Sequence, residues 1–529
     1  MILLYNARIY TLNPKQPTVS AALIDDYGRI AAVGSDDSLA ASAPIRTQRV
    51  NLNGQTVLPG LTDAHIHLQM YSESLARLNC ELPTKEECLT LVAERARTLP
   101  AGKWILGHGW NQNEWNGFGT ATELDRAAPF HPVFLTDKSI HAAWVNSAAL
   151  KLAGITDTTP NPPGGEIVRA EDGKATGILL ENATDLFTAI LPEPDEKELA
   201  AMLLTGQTSL HRMGITSVHD YDRSACFNAL QYLNHNHQLR LRVLKGIAMD
   251  DAPHALSLGL RSGFGNMWLR IGNVKLFADG ALGPQTAAML QPYEGSDSLG
   301  TTILDKEEIV EIGQQVAKQG FGLAIHAIGD RANHEVLDAY AELRRMEVAA
   351  GLPHLRHRIE HVQLLHPQDI PRLAELDVIA SMQPYHVISD MFTADRHWGQ
   401  RAQYSYAWQS VLSSGAKLAF GSDAPVESPN PFWGLHAAVT RRRADGLPGA
   451  EGWQPQERVS LMAALQGYTT GAAYASGWEN QLGQIQPGFL ADLIVLERDI
   501  FDLPPSELRD IQPLAVMVGG DWVVQGIGN

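Results

Sequence analysis

The chain has no uninterrupted apolar run of about 18 residues, the length a membrane-crossing helix needs, so no membrane span is expected. Cysteine is scarce. Cys80, Cys88 and Cys226 are the only three, with no CxxC spacing and no paired framework, which excludes a disulfide scaffold and fits reduced cytosolic thiols. Positive charge is also short: 41 Lys and Arg face 59 Asp and Glu, and the formal charge of -18 disfavours nucleic acid or an anionic membrane surface as partner. The opening stretch MILLYNARIYTLNP lacks a basic start and an apolar core before a small-residue cleavage site, because Tyr5, Asn6 and Arg8 interrupt it. A cytoplasmic chain is the expectation.

What is present points to two domains. The 529 residues, 44% of them hydrophobic, suffice for one large domain of roughly 250 to 400 residues and a smaller one. Both ends are written in short alternating strands. ILLYNARIYTL, AALIDDYGRIAAVG and RVNLNGQTVLPG carry turn signals at Asp26-Tyr27-Gly28 and Asn53-Gly54, and GQIQPGFLADLIVLERD is followed by VMVGGDWVVQG, a hairpin turning at Gly519-Gly520. One small β-sandwich-like domain, residues 1–57 plus 480–529, is therefore expected from both termini, with residues 58–479 inserted between its halves.

Inside the insert, eight apolar strand-like runs alternate with helical stretches: TVLPGLTDAHIH, GITSVHDY, LRVLKGIAM, IGNVKLFADGA, FGLAIHAIGD, HRIEHVQLL, VIASMQPYHV and KLAFGSDAPV. Amphipathic patterns such as KEEIVEIGQQVAKQG and DIPRLAEL lie between them, as crossover helices between parallel strands do. The pattern predicts an α/β fold, a (β/α)8 TIM-type barrel. One connection is anomalous. About 140 residues, 70–208, separate the first run from the second, an excursion long enough to form a lid.

Active sites of this fold gather at the C-terminal ends of the strands. His65 and His67 end the first run and, one residue apart on a strand, project the same way. Lys275 lies in the fourth run, His326 ends the fifth, His361 the sixth and Asp423 the eighth. Singly, each has a plain structural reading, a hydrogen-bonded histidine or a helix-capping aspartate. Together, four histidines and an aspartate at corresponding ends of separate strands are the donor set borderline metals prefer. Lys275 interrupts a run expected to be buried, and lysine is almost never buried unless paired. An ammonium repels divalent cations. A lysine carbamate would remove both difficulties, because adding carbon dioxide turns the cation into a carboxylate-like anion able to bridge two metals.

The HxH on the first run, the lysine on the fourth, the histidines on the fifth and sixth and the aspartate on the eighth resemble the binuclear amidohydrolase superfamily. VKLFADGALG, HAIGDRA, RIEH, FGSDAPV and HAAWVNSAAL are similar to the branch that contains N-substituted formamide deformylase and other metal-dependent hydrolases, over nearly the whole chain. The resemblance implies two divalent metal ions, with zinc foremost. His65, His67 and Asp423 would hold one, His326 and His361 the other, and carboxylated Lys275 would bridge them. It implies hydrolysis of a C–N amide-type bond, such as an N-acyl or N-formyl amine, by a metal-bridging hydroxide whose proton Asp423 takes and passes to the leaving amine. A small-molecule substrate and a homodimer follow from the same likeness.

The substrate contacts are written less plainly. His141 in SIHAAWVN would reach the scissile carbonyl on the family pattern, or shape a turn. Trp110, Asn111 and Glu114 in GHGWNQNEW, Asp279 in FADGALG, Gln383 in SMQPYH and His219 in SVHDY are further candidates, with core or turn roles open for Trp110 and Asp279. Two other readings stand beside this one. A mononuclear deaminase on the same barrel would carry a glutamate three residues after the fifth-run histidine, where this chain has Gly329, and would leave Lys275 without a role. A non-catalytic scaffold would be expected to lack some of the six ligands.

Overall fold

The computed structural model describes residues 1–111, 115, 117–137, 142–187 and 189–526. Its largest sheet is built from the eight predicted runs, in chain order: β1 (Leu61–Ile66), β2 (Ile215–Asp220), β3 (Arg242–Ala248), β4 (Leu269–Phe277), β5 (Leu323–Ala327), β6 (Arg358–His361), β7 (Ile379–Met382) and β8 (Leu418–Phe420). Every neighbouring pair is parallel. A bridge between Ile66 and Ala424, just past β8, all but closes the barrel. The register brings strand ends level: Phe277 lies opposite His326, His326 opposite Glu360, and Ala327 opposite His361.

The connections are helices where the apolar spacing predicts them. KEEIVEIGQQVAK forms the helix Lys306–Lys318 and IPRLAE the helix Ile370–Glu375. In the first, Ile309, Val310, Gly313, Val316 and Ala317 are buried, a stripe with the period of an α-helix. Its start is fixed by a capping box: the Asp305 carboxylate accepts from the Glu308 amide at 2.9 Å, and Glu308 accepts from the Asp305 amide at 3.0 Å. Burying Ile309, Val310 and Val316 contributes about 1.5–3 kcal/mol each.

Strands from the two termini share one six-stranded sheet, in which Leu493–Leu496 pairs antiparallel with Thr56–Pro59 and with Pro513–Val518. Pro513–Val518 turns through Gly519 and Gly520 into Asp521–Gln525, the expected hairpin. A second, four-stranded sheet comes from Ile2–Tyr5, Ala21–Ile24, Ile30–Gly34 and Gln48–Asn51. Leu4, Ile9, Ile24, Val57, Leu493, Val495 and Met517, from both ends of the chain, share one buried cluster.

Contacts divide the chain into two compact units, Met1–Tyr71 with Leu199–Asn529, and Ser72–Glu198. The second holds a six-stranded mixed sheet around buried Trp110 and Trp144. All three cysteines are free and buried, and among the described residues no helix is long and apolar enough to cross a membrane.

One buried ion pair fastens β3 to the C-terminal segment. Arg242 Nε lies 2.6 Å and its Nη2 2.9 Å from the two carboxylate oxygens of Asp492, and Trp268 covers the guanidinium at 4.4 Å. Both partners are at most 3% exposed. Asp492→Ala leaves a buried cation without its counter-charge, and urea unfolding should show a loss of about 3–5 kcal/mol, much of it regained in Arg242→Met/Asp492→Leu. A pH effect follows from His211, whose Nε2 donates to the Arg240 carbonyl at 3.1 Å. Burial pushes its pKa from 6.5 to about 4. The unfolded chain therefore takes up a proton that the native chain refuses, and stability should be full above pH 6.5 and fall towards pH 4. Melting temperatures of His211→Gln should decline less over that interval.

Candidate metal centre

Four imidazoles stand in a row at the C-terminal end of the barrel. Ring centroids are 5.7 Å apart from His67 to His65, 5.0 Å from His65 to His361 and 4.6 Å from His361 to His326. The HxH pair converges on one carboxylate oxygen: His65 Nε2 is 3.3 Å and His67 Nε2 3.4 Å from Asp423 Oδ1. One ligand atom each from His65, His361 and Asp423 lies within 4.8 Å of the others. Two imidazole nitrogens and a carboxylate oxygen, all buried, fit a divalent cation of borderline softness.

The backbone is bent to make this possible. His361, the last residue of β6, and Asp423, just beyond β8, sit at φ 76° and 62°, left-handed values that non-glycine residues adopt at a cost of about 1–3 kcal/mol and that cluster at working sites. Asp423 is pinned there by its amide, which donates to the His65 carbonyl at 2.7 Å. Asp63 ties the same seam: its Oδ1 accepts from the His65 amide at 3.1 Å and the Ser422 amide at 3.0 Å, and its Oδ2 from the Ser422 hydroxyl at 2.5 Å. Burial nonetheless pushes the Asp63 carboxyl up to about 6.

The imidazoles are held from behind. His65 Nδ1 is 2.6 Å from Glu360 Oε2, His67 Nδ1 3.4 Å from Asp222 Oδ1, and His361 Nδ1 2.8 Å from Gln383 Oε1. His326 Nε2 donates to the Gly280 carbonyl at 2.9 Å. Burial first, then the neighbouring Lys275 cation, depresses His326 to about 4, and burial together with His326 holds His361 well below the usual range. Both are neutral bases at pH 7, the form a metal takes. Burial works against charge on His67 too, but hydrogen bonds to Asp222 and Asp423 outweigh it and raise the ring to about 10. Burial likewise opposes the Asp423 charge, and His65 and His67 override it, holding the carboxyl well below its ordinary value.

Lys275 is 4% exposed, and among the described residues its ammonium makes no hydrogen bond or ion pair. It rests 5.0 Å from the Tyr221 ring centroid and 4.9 Å from that of Phe277; Tyr221 packs on His65 at 4.7 Å and Phe277 on His326 at 5.3 Å. The lysine thus stands between His65 and His326. Burial depresses it from 10.5 to about 8, against the pull of Glu360 and Asp423.

The other predicted contacts fall in several places. Gln383 orients His361, as above. Asp279 accepts from the amides of Ile328, Gly329 and Ala288 at 2.8–3.0 Å and lies 3.6 Å from His326 Nε2; burial raises its carboxyl to about 7 despite those bonds. His219 is buried, its Nδ1 accepting from Arg358 at 2.9 Å. Trp110 is fully buried in the Ser72–Glu198 unit, where its Nε1 donates to the Leu135 carbonyl at 2.8 Å, a core role. Asn111 is half-buried just beyond the strand Ile105–Trp110 of that unit. Glu114 and His141 lie outside the described residues.

Sequence reading passed over Asp63, Tyr221, Asp222, Arg358 and Glu360. The last two had a signal: opposite charges at i and i+2 in an apolar strand share one face, here the barrel interior, where Arg358 Nε is 2.5 Å from Glu360 Oε1. The closeness of β8 to β1 also depends on a missing side chain. A Cβ on Gly421 would meet the His65 amide nitrogen at 2.4 Å and Asp63 Oδ1 at 2.8 Å. Gly421→Ala should therefore lower stability by about 1–3 kcal/mol in denaturant unfolding and loosen divalent metal, since it parts Asp423 from the histidines.

The sequence profile of the Amidohydrolase family matches residues 48–524. The chain is 33% identical to Protein LONG AFTER FAR-RED 3 of Arabidopsis thaliana, over 98% of this chain and 91% of that one. It is 30% identical to the N-substituted formamide deformylase of Arthrobacter pascens, over 98% and 97%. The crystal structure of an uncharacterized metal-dependent hydrolase from Pyrococcus furiosus superposes with a TM-score of 0.79 at 29% identity, covering 94% of this chain and 99% of that one. With its profile match spanning the barrel and strands of both termini, the chain belongs to the amidohydrolase family.

Proposed function

We propose that the chain is a metal-dependent hydrolase of the C–N amide-type bond in a small N-acyl or N-formyl amine, with a binuclear centre. The observation that carries this is the convergence of His65 and His67 Nε2 on one oxygen of Asp423, with a ligand atom of His361 close to those of His65 and Asp423. His65, His67 and Asp423 would hold one ion, with zinc foremost, and His326 and His361 a second. Lys275 as a carbamate would join them. Its burial, lack of a counter-ion and lowered pKa of about 8 support that, because carbon dioxide adds only to a neutral amine. When bound, such ions supply Lewis acidity, activating water and polarising a carbonyl.

The chain's own groups do the rest. Asp423, well below its ordinary pKa, is a carboxylate ready to accept the proton of the attacking water on Oδ and return it to the departing nitrogen. Gln383 and the Gly280 carbonyl hold the rings of His361 and His326, so neither turns during turnover. The relative from Arthrobacter pascens, a deformylase of N-substituted formamides, supports the choice of bond. In the same reading residues 1–57 and 480–529 are the small domain, 58–479 the barrel domain, Glu114 and His141 line the substrate pocket, and the protein is a homodimer.

The deaminase alternative is disfavoured at Gly329, where a Cβ would meet the Ala288 carbonyl oxygen at 1.9 Å, so no glutamate fits. Protein purified without chelator should carry close to two divalent ions per chain by elemental analysis and turn over at least one member of an N-acyl and N-formyl amine panel. His65→Ala and His67→Ala should lose metal and turnover together. Asp423→Asn should keep its melting temperature and lose turnover by roughly 100-fold or more. Full activity in metal-free protein would overturn the proposal.

A further inference from the structure

Two carboxylates stand behind the HxH pair, on strands that are not neighbours of each other. Glu360, on β6, reaches His65 Nδ1 at 2.6 Å, and Asp222, just past β2, reaches His67 Nδ1 at 3.4 Å. Neither is free to swing. The other oxygen of Glu360 accepts from the Tyr221 hydroxyl at 3.0 Å and lies 2.5 Å from Arg358 Nε. The other oxygen of Asp222 accepts from the Gln69 amide at 2.5 Å. A carboxylate only accepts, so each imidazole must carry a proton on Nδ1 to bond it, and a metal is offered Nε2.

We propose that Glu360 and Asp222 are the positioning residues of the centre, fixing the tautomer and aim of His65 and His67 so that both Nε2 atoms face one cation beside Asp423. This rests on the metal-site reading above. The support extends one layer further behind Asp222. Asp220, Asp222 and Cys226 bring three potential ligand atoms within 4.8 Å and resemble a second metal site. Lys245 is already lodged among them: its Nζ lies 2.9 Å from Asp220 Oδ2 and donates to the Asp222 carbonyl. Asp220 in turn accepts from the Leu68 amide at 2.9 Å, tying this cluster to the chain directly after His67. The lysine cation thus takes the place of a metal, and the cluster is a brace for His67.

The two clamps differ in what else they do. Glu360 is also the direct counter-charge of buried Arg358, so Glu360→Gln threatens the fold; Asp222 has the lighter second duty of accepting from the Gln69 amide, since buried Lys245 is paired by Asp220. Asp222 therefore bears the test. Zinc affinity is measured by chelator competition at one pH on Asp222→Ala, Asp222→Asn and Asp222→Glu, with metal-free melting and the ¹⁵N spectrum of labelled histidines alongside. Asp222→Ala should weaken zinc 10- to 100-fold with metal-free melting unchanged and the His67 Nδ1–H signature lost, Asp222→Asn should fall between, and Asp222→Glu should restore part of the affinity. If Asp222→Ala fails to fold, Asp222→Asn is read in the same way. Wild-type zinc affinity in these variants, while His67→Ala loses zinc, would overturn the proposal and leave the metal centre standing. Unchanged zinc binding in His65→Ala and His67→Ala would instead remove the metal-site reading itself.

Discussion

The Arg358–Glu360 ion pair governs this architecture more than any other single contact. Both side chains are 0% exposed. Desolvating two such charges costs several kcal/mol per ion, and their attraction repays it only when the remaining donors and acceptors are also satisfied. Most of them are met here: Arg358 donates to the Ala64 carbonyl, to His219 and to Ser381, and Glu360 receives Tyr221 and His65. These partners come from β1, β2 and β7 as well as β6, so the pair can be satisfied only when the barrel has closed. His65 is one of the groups that satisfy it. Its ring is therefore oriented by the same condition that makes the interior electrostatically tolerable.

From that pair outward, the electrostatics of the site have a common direction. Burial pushes every group toward neutrality, and the groups that stay charged are those with a partner at hand. His326, His361 and Lys275 are depressed because none has an adequate counter-charge. Asp423 and Glu360 stay ionised because histidine and arginine face them. The result is a fixed carboxylate at Asp423, neutral imidazoles at His361 and His326 and a cationic His67, with a buried amine between His65 and His326.

The barrel was legible because its strands are short apolar runs bounded by turn residues, and parallel order follows once helices intervene. The candidate ligands were legible because HxH, a lysine in a buried run and strand-end histidines each violate the apolar pattern at a position the fold explains. The clamps were harder to read. Asp222 stands beyond the end of β2, where alternation no longer tells which way a side chain points, and Glu360 meets His65 only through closure of strands 295 residues apart. The left-handed backbone at His361 and Asp423 is invisible to residue-type propensity, since neither is glycine. Gln383 illustrates another limit: its sequence marks a polar group near the strand ends, but only the folded chain brings it to the His361 ring.

The relatives carry differing names at nearly equal identity, Protein LONG AFTER FAR-RED 3 at 33% and an N-substituted formamide deformylase at 30%. Such divergence over nearly full-length matches means that fold and family leave the substrate open. In this chain the inward positions at the strand ends are already committed: His326, Glu360 and Asp423 each have a hydrogen-bond or ionic partner, and Lys275 is enclosed between Tyr221 and Phe277. Selectivity must then arise from the segments beyond the strand ends, where a (β/α)8 barrel varies without disturbing its core. Phe277 is the strand residue best placed to share in it. It closes β4 beside Lys275 and His326 yet remains 45% exposed, an apolar ring at the edge of a polar centre. In the proposed hydrolase a substrate group lying against that ring would be apolar, while the bond to be broken would face the histidines.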